Sequence, residues 1–126
     1  VKRLESKVAL IPGTARGRGT AAAPRFAAEG ALVVGGDLLH EEAVETQRLI
    51  AREGGTALTP GPLDITDGDA VRTWVEEAAD AFDGVDIVCA DAGAVRFGPV
   101  DSRPHDDSAF ILRAGLDSVR LTVRAA

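Results

Sequence analysis

Val8-Ala9-Leu10-Ile11-Pro12-Gly13-Thr14-Ala15-Arg16-Gly17-Arg18-Gly19 is the stretch on which the fold turns. Four apolar residues in a row fit a strand covered on both faces, as in a parallel sheet, better than an edge strand that alternates apolar with polar. Three glycines then punctuate a turn, and Ala22, Ala23, Phe26 and Ala27 follow at helical spacing, closed by Gly30. In that context the glycines let the backbone approach a diphosphate closely. The helix start turns unpaired N–H groups and the positive end of its dipole toward the same anion. Glycines also serve any tight strand-to-helix turn, so the flanking sequence has to decide between the two readings.

Outward from the turn, apolar runs alternate with helical periods, the signature of a parallel sheet with crossover helices. Ala31-Leu32-Val33-Val34-Gly35 reads as the second strand, ending at Asp37. A helix follows from about Glu41 to Glu53, with Val44 and Ile50 inward and Gly54-Gly55 as its stop. The third strand is short and runs from about Thr56 to Leu63, its end marked as an edge or irregular stretch by Pro60 and Pro62. Asp67 to Phe82 has the clearest helical period, with Val71, Trp74, Val75, Ala78 and Phe82 on one side. Val85 to Ala90 is the fourth strand, and Asp107 onward is a final helix carrying Phe110, Ile111, Val119 and Val123. The loop from Gly93 to Asp106, with Pro99 and Pro104, is the longest. Right-handed crossovers then predict a Rossmann-like, doubly wound α/β fold, truncated to about four parallel strands in the order 3-2-1-4 with helices on both faces.

Composition narrows the function classes. The chain has 126 residues, enough for one domain, and is 45% hydrophobic and 27% charged with a net charge of -6. Scattered basic residues argue against a nucleic-acid partner, and no apolar run is long enough to span a membrane. A cytoplasmic location is therefore expected. Cys89 is the only cysteine and reads as a small buried hydrophobe; His40 and His105 read as loop residues, and no metal site is expected.

Asp37 lies eighteen residues beyond Gly19, where a carboxylate accepts hydrogen bonds from an adenosine ribose and repels a 2′-phosphate. NAD is thus preferred over NADP; Arg16 and Arg18 fit either a phosphate partner that weakens this preference or cations near the pyrophosphate of NAD. The alternative for Asp37 is a cap on the following helix.

With these residues in place, the chain resembles the N-terminal, coenzyme-binding half of the short-chain dehydrogenase/reductase family. Gly13, Gly17 and Gly19 match the three glycines of its T-G-x-x-x-G-x-G pattern, Asp64-Ile65 follows the third strand, and Ala90-Asp91-Ala92-Gly93 is similar to its N-N-A-G. The resemblance implies that Asp64 meets the adenine amino group, Ile65 its ring face, and the backbone of Asp91, Ala92 and Gly93 the adenosine ribose, with Leu38 also among the coenzyme-binding residues. Read locally, Asp64 also fits a turn or cap acid and Gly93 a turn glycine.

The departures are equally specific. The family's chemistry uses a Tyr-x-x-x-Lys pair, a serine and an asparagine; this chain has no tyrosine, its lysines are Lys2 and Lys7, and Gly115 aligns with the asparagine. No catalytic residue is therefore assigned, and the chain alone is expected to bind NAD through its ADP portion without turning over. Pro12 replaces the family threonine, Asp91 an asparagine, and Pro24 falls inside the first helix, where it costs about 3 kcal/mol unless the helix kinks. The fourth strand would be an apolar edge, so a homo-oligomer or partner chain covering it is expected. Two alternatives stand beside this reading. One is an NAD-dependent oxidoreductase acting on alcohols or carbonyls, with the missing groups supplied by further sequence or a partner. The other is a scaffold reused for a lyase, cyclase or structural role, with Asp101, His105 or Asp106 lining a cleft.

Overall fold

The computed structural model describes all of residues 1–126. Four parallel strands, β1 (Val8–Pro12), β2 (Leu32–Gly36), β3 (Thr56–Leu58) and β4 (Ile87–Val88), form one sheet in the order β3-β2-β1-β4. β1 pairs with β2 from Val8 opposite Leu32 to Pro12 opposite Gly36, and with β4 at Ala9–Ile87 and Leu10–Val88. Helices α1 (Gly17–Ala28), α2 (His40–Arg52) and α3 (Gly68–Phe82) make the crossovers. None of the helices is long and apolar enough to cross a membrane.

Because side chains alternate across a strand, β1 feeds two apolar layers. Val8 and Leu10 join Val34, Leu63 and the α3 face of Val71, Trp74, Val75 and Ala78. Ala9 and Ile11 join Val33, Ile50 and the small α1 face of Ala23 and Ala27. The Trp74 indole N–H donates to the Gly35 carbonyl at 2.9 Å, satisfying the one polar atom that a buried tryptophan brings with it. At the opposite end Asp86 accepts from the Val8 N–H at 2.9 Å and pairs with Lys7 at 3.6 Å, tying the chain ahead of β4 to the start of β1.

Several expectations need correction. β3 and β4 are three and two residues long, shorter than the apolar runs around them, because Pro60 follows β3 and an irregular chain takes over after Val88. α1 continues without interruption through Pro24; fully packed Ala23 and Ala27 hold it to the sheet despite the missing N–H. His40 and His105 are not loop residues: they open α2 and a further helix, α4 (His105–Leu112). Asp67 caps α3, its Oδ1 accepting from the N–H groups of Asp69 at 3.0 Å and Ala70 at 3.3 Å.

The last helical stretch departs furthest. α4 passes into a π-helical turn over Arg113–Asp117 and then α5 (Ser118–Ala125). The inner face is Ala114, Ser118 and Thr122, whereas Val123 is exposed and Phe110, Ile111 and Val119 are half-buried. The Ser118 hydroxyl donates to the Ala114 carbonyl at 2.6 Å and the Thr122 hydroxyl to the Ser118 carbonyl at 2.8 Å. Each buried hydroxyl thus satisfies itself on its own helix, which makes two polar residues acceptable at positions an apolar count assigns to valines.

Candidate functional site

The carboxyl ends of β1, β2 and β4 open on a cavity of about 440 Å³, and the turn after β1 forms its first wall. Gly13 has φ +88° and donates its N–H to the Gly36 carbonyl at 2.7 Å. The Thr14 carbonyl is held by the hydroxyls of Thr20 at 3.0 Å and Thr46 at 2.7 Å, so the turn is braced by both α1 and α2. A Cβ on Gly19 would fall 2.0 Å from the Gly13 carbonyl oxygen, so only glycine lets the first turn of α1 lie against the end of β1. Gly17, at φ +62°, begins α1 with open space around it. No side chain caps this helix start, and its first turn carries no acid. Its N–H groups and dipole are therefore free to serve an anion.

Asp37 stands at the end of β2 and faces the glycine turn. Its Oδ2 accepts from the Ala15 N–H at 3.2 Å and its Oδ1 from the Leu39 N–H at 3.0 Å. It does not cap α2, whose first turn has no side-chain cap, so the capping alternative fails on geometry. Next to it Arg16 is gripped by Glu42, Nε on Oε2 and a terminal nitrogen on Oε1, both at 2.7 Å. Those hydrogen bonds hold the Glu42 carboxyl below the usual glutamate range and push the Arg16 guanidinium up; Asp37 adds a smaller attraction to Arg16. Leu38, largely exposed, continues this wall.

The irregular segment after β3 supplies Asp64, whose Oδ1 accepts from the Thr66 N–H at 2.9 Å and hydroxyl at 2.7 Å. It is a turn acid in local geometry and lines the cavity as well; Asp67, not Asp64, caps α3. Ile65 packs against the α3-side core. On the β4 side, Ala92 approaches the glycine turn so closely that a Cβ on Gly13 would lie 3.0 Å from its own Cβ. Asp91 pairs with Arg18 at 2.8 Å. Gly93 does not have the positive φ of a turn glycine, and a Cβ there would meet only the Ala114 carbonyl, at 3.6 Å.

Of the residues expected at a site, the cavity collects Gly13, Arg16, Arg18, Gly19, Asp37, Leu38, Asp64, Ile65, Asp91, Ala92 and Gly93, and leaves Gly17 just outside its lining. Asp101, His105 and Asp106 lie elsewhere on the surface. Cys89 corrects the expectation of a buried hydrophobe: it is half-buried and lines the cavity. Burial pushes its thiol up, and Asp91 adds to that, so it is a thiol and a poor nucleophile at neutral pH.

Glu42, Thr66, Phe110 and Ala114 were not anticipated. Thr66 carries a faint sequence signal, an acid two residues before a hydroxyl, as in an Asx turn. Glu42 carries none, because it reaches Arg16 across 26 positions of chain. Phe110 and Ala114 reach the cavity only through the path of the final helices.

Comparison with known proteins agrees with this fold. Residues 7–126 match the short chain dehydrogenase family. The 2,5-dichloro-2,5-cyclohexadiene-1,4-diol dehydrogenase LinX of Sphingobium indicum is 36% identical over 124 residues, covering 98% of this chain and 49% of that protein. The 3-alpha-(or 20-beta)-hydroxysteroid dehydrogenase of Mycobacterium tuberculosis is 35% identical over 123 residues, covering 98% and 46%. Among solved structures, a short chain dehydrogenase from Burkholderia cenocepacia in complex with NADP superposes with a TM-score of 0.92 at 36% identity, covering 98% of this chain and 51% of that one. The chain spans about half the length of the curated relatives it matches.

Proposed function

The chain belongs to the short-chain dehydrogenase family, and from that premise we propose that its 126 residues form one dinucleotide-binding domain holding NAD by its ADP portion. The observation that carries this reading is the single cavity joining the uncapped start of α1, the inward-facing Asp37 carboxylate and the Asp91–Gly93 backbone. Gly19 supports the fit, since any side chain there would collide with the turn. In this assignment the N–H groups of the α1 start hold the diphosphate, and Asp37 the adenosine ribose. Asp64 and Ile65 border the adenine, and the backbone of Asp91, Ala92 and Gly93 the adenosine ribose.

Two features support NAD over NADP. The Asp37 carboxylate would repel a 2′-phosphate, and the Arg16 guanidinium beside it, which could neutralise one, is already held at two points by Glu42. The Burkholderia relative was solved with NADP, so the preference for NAD proposed here rests on the side chains around the ribose in this chain and not on the fold.

When bound, the dinucleotide supplies a nicotinamide ring that takes or gives hydride. The residues here bind and orient it. With no tyrosine in the chain, and Lys2 and Lys7 away from the cavity, proton exchange with an alcohol or carbonyl substrate falls to groups outside these residues, supplied by further sequence or a partner. The same reading puts the protein in the cytoplasm, with further sequence, a second copy or a partner chain against the β4 edge.

Thermal unfolding with each coenzyme tests the proposal. A ligand at 100 times its dissociation constant stabilises by about 2.7 kcal/mol, which raises Tm by several degrees. NAD is expected to raise Tm more than NADP at equal concentration, and Asp37→Ala to abolish the difference. Equal or reversed shifts in the unaltered chain would overturn the preference, and no shift with either coenzyme would overturn the assignment.

A further inference from the structure

The cavity has two walls, and one ion pair ties them together across its mouth. Arg18 sits in the first turn of α1, beside the N–H groups assigned to the diphosphate, and its Nε lies 2.8 Å from Asp91 Oδ2 on the segment after β4. Both residues line the cavity, and their side chains are 83% and 44% exposed, so each can leave the other without a burial penalty. We propose that this pair is a gate on the coenzyme cleft: Asp91 competes with the diphosphate for Arg18, and binding transfers the guanidinium from carboxylate to ligand. The inference rests on the cleft being the dinucleotide site.

The physical case is one of charge and geometry. A guanidinium presents a planar fork of donors that suits phosphate oxygens as well as a carboxylate, and a diphosphate carries two negative charges against the single charge of Asp91. Asp91 therefore opposes binding twice, by occupying Arg18 and by placing a like charge beside the ligand. The first effect needs Arg18, and the second does not. An asparagine at this position would do neither. While the pair is closed it also braces a wall whose strand, β4, is only two residues long, which gives the carboxylate a role in the free protein.

Calorimetric titration of the whole chain with NAD, ADP-ribose and adenosine tests the gate, with folding of each variant confirmed by circular dichroism. Asp91→Asn is expected to tighten NAD and ADP-ribose by about threefold to fivefold, the scale of an exposed ion pair. Arg18→Gln is expected to weaken both by about tenfold. Adenosine, which has no phosphate, should bind all variants alike, and the gain from Asp91→Asn should shrink in the Arg18→Gln background. The gate is refuted if Asp91→Asn leaves NAD affinity unchanged or lowers it, if adenosine shifts by the same factor, or if the gain persists in full without Arg18. An unaltered chain that binds none of the three ligands would instead remove the coenzyme reading on which the gate stands.

Discussion

The two walls of the cleft are built by opposite means. On the β1–α1–β2 side, backbone contacts leave no freedom: Gly13 donates to Gly36, Thr14 is held by two hydroxyls, and Gly19 lies against Gly13 with no room for a methyl group. On the β4 side a two-residue strand leads into an irregular, exposed segment, and the principal polar tie to the opposite wall is the Arg18–Asp91 pair. The first wall is fixed by shape and the second by a charge contact that solvent weakens. The contrast teaches where a substitution reaches the fold and where it reaches only the ligand.

The largest effect is expected where the first wall is tightest. Alanine is the better helix former by about 1 kcal/mol, yet Gly19→Ala puts a Cβ 2.0 Å from a backbone oxygen that has no rotamer to escape into. The clash should win, costing about 3 kcal/mol or more in denaturant unfolding and removing NAD binding. An unfolding midpoint equal to that of the unaltered chain would show that the wall gives way easily, and the comparison would break.

On the second wall, Cys89 reports both its own environment and occupation of the cleft. Its raised thiol pKa predicts alkylation by iodoacetamide slower than that of a free cysteine at neutral pH, accelerating only as pH climbs above the ordinary thiol range. NAD should slow it further. Reaction as fast as free cysteine would mean that this wall is more open than its half-buried thiol implies. The smallest effect is expected at Gly93→Ala, where φ is not positive and the added methyl makes an ordinary 3.6 Å contact with Ala114. A stability change within about 0.5 kcal/mol is predicted, and a loss like that at Gly19 would erase the distinction between the walls.

The same contrast explains what the sequence disclosed. The first wall was legible because glycine spacing, an apolar run and a following carboxylate are local signals that map directly onto backbone geometry. Strand order followed as well, since crossover handedness leaves little choice. The second wall was harder to read. Val85 to Ala90 is apolar throughout, yet only Ile87 and Val88 pair with β1, because ladder formation depends on the partner strand. The final helix misled for a similar reason: the π turn shifts its face, and Ser118 and Thr122 occupy the inner positions by bonding to their own helix. Glu42 escaped notice because its partner lies on a different element. An ion pair between distant residues leaves no period in a sequence.

Backbone amide chemical shifts in a titration of the isotope-labelled chain with NAD decide whether a dinucleotide lies between these walls. Saturable changes are predicted at Gly13 to Gly19, Asp37 and Leu38, Asp64 to Thr66 and Asp91 to Gly93, with the surface turn around Gly54 silent. Saturation with the shifts confined to other residues, or no saturable shift at millimolar NAD, would contradict binding in this cleft.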